Sequence, residues 1–291
     1  MLSVSPPIVW TFEPSVLVGV FATSIWYVWA WRRARLPRMP HPPGYRKLTL
    51  FILSMLCLLV ALISPFDALS TDLMSMHMVQ HLLLLDCFPV LFILSLTKGI
   101  LRPVTKRMTQ LERRAGLLAH PALGVLLYVG MMGIWHIPRM YDLALEHPNV
   151  HLLEHFCFMG AGMVYWWHLL SPIRGRIHLG GMGPIIYMAV TKFFVGMLGI
   201  VLAFSTTCFY PWYRVHEHYW GMTPRTDQNL GGVIMSLEQA LIMGTVMVYI
   251  VVRMLNESER EAQRRERLEQ DEVPLHPARR AAIEAARAAQ R

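Results

Sequence analysis

The chain has 291 residues and carries 27 Lys and Arg against 19 Asp and Glu, a formal net charge of +8 at pH 7. Hydrophobic residues make up 54% of it and charged residues only 16%, with a mean hydropathy of +0.38. That balance excludes the pair of soluble domains that length alone would allow, and with them a nucleic-acid-binding role for the positive charge.

Apolar stretches of about 20 residues, enough to cross a ~30 Å hydrocarbon core, recur along the chain. In order they are 14–31, 48–65, 73–96, 117–136, 150–170, 184–205 and 231–252. Backbone polar groups in lipid must be satisfied within their own segment, so these are helices. The expected fold is all-α: one integral membrane bundle of about seven transmembrane helices over 1–252, followed by a charged tail over 253–291.

Lysine and arginine set the orientation. Loop 32–47 carries Arg32, Arg33, Arg35, Arg38, Arg46 and Lys47. Loop 97–116 carries Lys98, Arg102, Lys106, Arg107, Arg113 and Arg114, and loop 171–183 carries Arg174 and Arg176. The loops between them hold only Arg139, Arg214 and Arg225. Basic loops belong on the cytoplasmic side, which puts the N-terminus outside and the C-terminus inside. Residues 1–31 contain no Lys or Arg, so span 14–31 is not expected to be a cleavable signal peptide. The basic surface beside the membrane suits anionic lipid headgroups. The tail reads as a solvated mixed-charge helix, broken near Pro274 and Pro277. Cys57, Cys87, Cys157 and Cys208 show no pairing signature.

The histidines are distributed unevenly. With this topology His77, His81, His136, His147, His151, His155, His216 and His218 lie at the outer side. His41, His120, His168, His178 and His276 lie at the inner side or in the tail. In span 73–96, Met74, His77, Met78 and His81 follow the i, i+3, i+4, i+7 pattern of one helix face. Span 150–170 repeats the spacing with His151 and His155, with Glu154 beside them and Met159 a turn deeper. Span 117–136 ends in Met132 and His136, and His147 stands just above the next helix start. Side chains at i and i+4 stack on one face and can reach one ion. Imidazole suits Zn, Cu, Fe and Ni, and thioether selects Cu(I). The expected metal ligands are therefore His77, His81, His151 and His155, with Met78, Met74, His136 and His147 near them, and copper as the ion. A single helical histidine is more often a packing residue, and most methionines fill gaps. Two matched pairs inside a membrane are harder to explain that way. His216 and His218 are candidates for ion capture.

Three other ionisable groups lie within spans. Asp86 is ~20 Å below the outer end of its helix and Lys192 ~12 Å above the inner end of its own, nearly one depth, which predicts an ion pair. Glu238 lies about as deep as His81 and reads either as a hydrogen-bond acceptor for a ligand imidazole or as a simple polar contact.

The segments HMVQHLLLLDCFP, WHIPRMYDLAL, VHLLEHFCFMGAGMVYWWHLLSP and DQNLGGVIM occur in that order. Together they resemble the CtaG-like cytochrome c oxidase assembly factors over about residues 48–252. The resemblance implies a multi-span protein of the bacterial inner membrane that is not an enzyme. It would be needed to build an active haem–copper oxidase, with copper supply as its task. The implied partners are the oxidase catalytic subunit and an extracytoplasmic copper donor. The CuB centre of such oxidases is held by imidazoles in the outer part of the membrane, the depth of the histidine cluster here. The pattern leads one to expect Trp after DQNLGGVIM, where this chain has Ser236. Two other chemistries use histidine clusters. Di-iron membrane oxygenases place theirs on the cytoplasmic side and have no use for thioethers. A b-type haem needs axial ligands from opposed faces, which i, i+4 pairs do not offer, although His81 and His155 could flank one haem.

Overall fold

The computed structural model describes residues 9–36, 42–173, 179–215 and 219–272, together with 285, 288 and 289. His41, His178, His216, His218, His276, Pro274 and Pro277 lie outside the described residues. Among the described residues every regular element is helical.

The first helix, α1 (Pro14–Ala34), leads through α2 (Tyr45–Leu62) to the short α3 (Pro65–Asp72). Next come α4 (Met74–Leu82), a π-helical turn (Leu83–Cys87) and α5 (Phe88–Ser95), which together form one continuous rod. Helix α6 (Lys98–Ala115) precedes α7 (Pro121–Trp135), α8 (Pro138–Glu146) and α9 (Pro148–Leu170). After α10 (Gly183–Ala203) and the single turn α11 (Trp212–Val215), α12 (Pro224–Glu238) passes through a second π turn (Gln239–Met243) into α13 (Gly244–Glu272). Proline opens α1, α3, α7, α8, α9 and α12, where its missing N–H costs nothing.

Among the described residues five segments are long and apolar enough to cross a membrane: Pro14–Ala34, Tyr45–Leu62, Met74–Ser95, Gly183–Ala203 and the run Pro224–Glu269. A sixth exists if α7 and α8, bent by 76° at their junction, count as one span. The expected number was seven. Two causes separate the counts. Stretch 117–136 yields a helix of only 15 residues, because Pro121 starts it late and Pro138 begins a new direction. Stretch 150–170 does form a helix of 23 residues, but His151, Glu154, His155 and His168 lower its hydropathy. Segment 97–116, expected as a loop, is the 18-residue helix α6, with only Ile100 and Leu101 buried.

By its internal contacts the chain divides into two units, Met1–Thr245 and Val246–Arg291. The second is helical as far as Glu272, with Arg253 Nε donating to Glu257 Oε1 at 2.9 Å on its exposed face.

Within the first unit, one apolar core gathers Tyr27, Phe51, Leu84, Phe88 and Leu101. The Tyr27 and Phe51 rings stack at 3.8 Å, and the Tyr27 hydroxyl donates to the carbonyls of Lys47 and Ser95. Two glycine crossings set the spacing of the other helices. A Cβ on Gly162 of α9 would collide with the carbonyl of Leu85, so α9 lies directly against the π turn of the α4–α5 rod. Helices α10 and α12 cross where Gly199 meets Gly232 and Ser236: a Cβ on Gly199 would lie 2.7 Å from Ser236 Oγ. The serine expected to be tryptophan therefore sits where an indole has no room. Ser236→Trp should lower the thermal unfolding midpoint in detergent, with an overpacking cost of about 1–3 kcal/mol or more.

Candidate metal centre

Helix α4 has no cap of its own, because Leu73 at its N-cap has no polar side chain. Asp227 of α12 supplies one from across the bundle. Its Oδ2 accepts from Met74 N at 2.6 Å, and its Oδ1 accepts from Ser75 N at 3.1 Å and Ser75 Oγ at 2.5 Å. A carboxylate at a helix N-terminus satisfies donors that the helix cannot and complements its dipole. This contact fixes the height of α4, and with it of His77 and His81.

Helix α9 starts at Pro148 and turns His151, Glu154 and His155 toward α4. The i, i+4 rings of each helix lie 4.2 Å apart, both for His77–His81 and for His151–His155. Across the helices the centroids of His77 and His151 are 5.2 Å apart, and those of His81 and His155 6.4 Å. All four expected imidazoles therefore converge in one place.

Glu154, fully buried, lies among them. Its Oε2 is 3.6 Å from His77 Nε2 and 4.0 Å from His151 Nε2, and its Oε1 is 3.4 Å from His81 Nε2. These separations exceed hydrogen-bond length. The Nε2 atoms of His77, His81, His151 and His155 and both Glu154 oxygens have no hydrogen-bond partner. Buried polar atoms are nearly always satisfied, so a cluster of this size calls for an explanation. Ligands held 2.0–2.1 Å from one tetrahedral ion are about 3.4 Å from each other. The separations around Glu154 begin at that value, and His77, His151 and Glu154 each offer a ligand atom within 4.8 Å of the others. The residues present therefore fit a metal ion.

The remaining expected ligands fall into three places. Met78 Sδ contacts His136 Nε2 at 3.4 Å, and His136 Nδ1 contacts the Met132 carbonyl at 2.7 Å, with the His136 ring 6.1 Å from that of His81. Met74 is buried beside Met78 against Gly231 of α12. His147 is exposed at the N-cap of α9 and is not brought into the cluster. Met159 packs on the apolar core of α1 and α2.

Aromatic residues close one side. The Tyr141 ring lies 4.8 Å from that of His77 and 4.2 Å from that of Tyr210. Its hydroxyl meets that of Tyr213 at 3.1 Å, and Tyr213 donates to the Ser70 carbonyl. Tyr210 donates to the His136 carbonyl, and the Arg214 guanidinium ties the segment down through the Cys208 carbonyl. Phe158 covers His81, ring to ring at 4.2 Å. Only His151 retains noticeable exposure, at 14%.

Residues 25–257 match the family model described as cytochrome c oxidase caa3 assembly factor (Caa3_CtaG). The chain belongs to that family. Among curated proteins it is similar to an uncharacterized protein of Mycobacterium leprae, 22% identical over 280 residues. It is also similar to uncharacterized proteins of Mycobacterium bovis and Mycobacterium tuberculosis, each 24% identical over 274 residues. Each alignment covers 89% of this chain and 41% of the relative, so the chain spans less than half the length of the curated relatives it matches. No solved structure matches it.

In this family member one further expectation is corrected, and of the two readings left open for Glu238 the simple polar contact is the one found. Asp86 does not pair with Lys192, which is exposed on α10. Instead the Asp86 carboxylate accepts from Tyr128 and Trp166. Among the described residues Glu238 accepts from no imidazole; its Oε2 accepts from the side chain of its neighbour Gln239 at 3.0 Å. The carboxylate among the imidazoles is Glu154. Its spacing from His151 and His155 put it on their face, the one signal that could have marked it as a ligand. Asp227 carried no local signal, because its partners Met74 and Ser75 are over 150 residues away.

Proposed function

We propose that this assembly factor binds copper between α4 and α9 and delivers it to the CuB site of the oxidase catalytic subunit. One observation carries the reading: four buried imidazole nitrogens and a buried carboxylate face one another without hydrogen bonds. A buried carboxylate with no partner is costly, and a cation between it and the imidazoles removes that cost. Imidazole and carboxylate accept both copper oxidation states, and the soft pair Met78–His136 adds a position suited to Cu(I), the proposed cargo. Copper from an extracytoplasmic donor would enter past His151 and leave by stepwise replacement of its ligands by imidazoles of the oxidase. Such exchange never frees the ion into an apolar medium. The protein's part is to hold and hand over an ion, without making or breaking a bond in a substrate, in the bacterial inner membrane.

The di-iron alternative has one observation in its favour. Glu154 turns one oxygen to His81 and the other to His77 and His151, as a carboxylate bridging two ions would. Metal analysis with an optical spectrum of purified protein separates these readings and also the haem reading, which predicts a Soret band. In cells, His81→Ala should leave the oxidase polypeptide and its haem in place but remove its CuB copper and its activity. An oxidase with full copper and no haem would overturn copper transfer.

A further inference from the structure

Lys192 stands at the middle of an apolar span and faces outward. Its helix, α10, has 21 residues, enough to cross a ~30 Å hydrocarbon core. Lys192 is nine residues from Gly183 and eleven from Ala203. At 1.5 Å per residue those are about 14 and 17 Å, further than a four-carbon stem carries its ammonium. The inward face of α10 is already used: Thr191, Val195 and Gly199 are buried, with Gly199 against Gly232 and Ser236 of α12. Lys192 is exposed, and the ion pairs among the described residues leave it out. An ammonium ion in hydrocarbon is costly, and charged groups inside a span almost always meet a partner.

The surface around it has room for one. Ala189 and Gly196, three residues before and four after Lys192, share its face. Ala189 is exposed, and a Cβ on Gly196 would meet nothing within 4 Å. Small residues let a second backbone approach closely in a membrane.

We propose that this face of α10 docks a transmembrane helix of the oxidase under assembly, and that Lys192 pairs there with an aspartate or glutamate carried near mid-membrane. Charge decides against the other occupants. A two-fold contact with a second copy over this face would set two Lys192 ammonium groups side by side. A second copy also has no acid to offer among the described residues of the α4–α5 rod, α9 and α12, where Asp86, Glu154, Asp227 and Glu238 are all buried. Lipid phosphates lie at the boundary, about 15 Å away. The pair would fix the register of the two helices, because sliding by one turn, about 5.4 Å, separates the charges. The proposal rests on the oxidase as partner and is independent of the ion that the histidine cluster binds.

Dicyclohexylcarbodiimide tests it in membranes that hold both proteins. This apolar reagent activates a carboxyl group and joins it to a touching amine as an amide. Mass spectrometry should find Lys192 linked to an Asp or Glu in a transmembrane segment of an oxidase subunit. Lys192→Leu should lower the oxidase that co-purifies with the chain about tenfold or more, because it leaves the partner carboxylate buried and unpaired. Lys192→Arg should retain most of it. Purified Lys192→Leu should unfold and bind copper as the wild type does, which separates this surface from the metal centre. No linkage from Lys192, a linkage to a second copy, or undiminished co-purification in Lys192→Leu overturns the docking face and leaves the oxidase as partner. A wild-type chain that brings down no oxidase overturns both.

Discussion

His77→Ala and His151→Ala should each weaken copper binding at least tenfold, while His147→Ala should leave it unchanged. The first two each remove an imidazole whose Nε2 faces Glu154 within 4.0 Å. The third removes an exposed side chain at the start of α9 that is not brought to the cluster. The loss should exceed that of a surface substitution because the remaining donors stay buried and unsatisfied, and their desolvation cost is no longer offset. Glu154→Gln separates charge from shape: the amide keeps the volume and one acceptor oxygen but loses the negative charge. It should reduce affinity for a divalent ion more than for Cu(I). Competition titration against a chelator of known affinity, in oxidised and reduced protein, measures all four variants. Undiminished copper in both His77→Ala and His151→Ala would place the ion elsewhere.

Asp227→Ala should be the most destabilising substitution at this end of the bundle outside the cluster of His77, His81, His151, His155 and Glu154. It leaves two backbone N–H groups and a hydroxyl of α4 without their acceptor. Hydrogen bonds to a charged group contribute about 1.5–3 kcal/mol each, so a loss of about 3 kcal/mol or more is expected. Asp227→Asn keeps an acceptor oxygen and should recover part of it. Thermal unfolding in detergent gives the stability. Copper titration of the folded fraction should show weakened binding in proportion, because the height of His77 and His81 depends on this cap. Wild-type stability in Asp227→Ala would show that α4 is held by packing alone.

The histidine cluster was legible because helical periodicity is a local property. His77 and His81 share a face by spacing alone, as do His151 and His155, and the structure then needs only to bring the two faces together. The carboxyl groups were harder to place, because depth along a helix says nothing about direction around it. Asp86 and Lys192 were matched by depth, yet Lys192 points out of the bundle while Asp86 points in. Glu238 was matched to His81 in the same way, and the structure pairs it with its neighbour Gln239. The number of spans depended on hydropathy, and α9 scores low because its polar residues belong to the interior of the protein, out of reach of lipid. The bend at Pro138 and the helix over 98–115 were readable in principle from proline placement and periodicity.

Of the four imidazole side chains, His151, at the first turn of α9, keeps the most exposure among the described residues, while Tyr141 packs on His77 and Phe158 on His81. An ion that entered and left past this one side chain would impose an order of events. A protein bringing an ion and a protein taking it away would have to dock over the same few residues, so they would exclude one another. Loading and unloading would then alternate, and an excess of donor would slow delivery by covering the surface that the recipient needs.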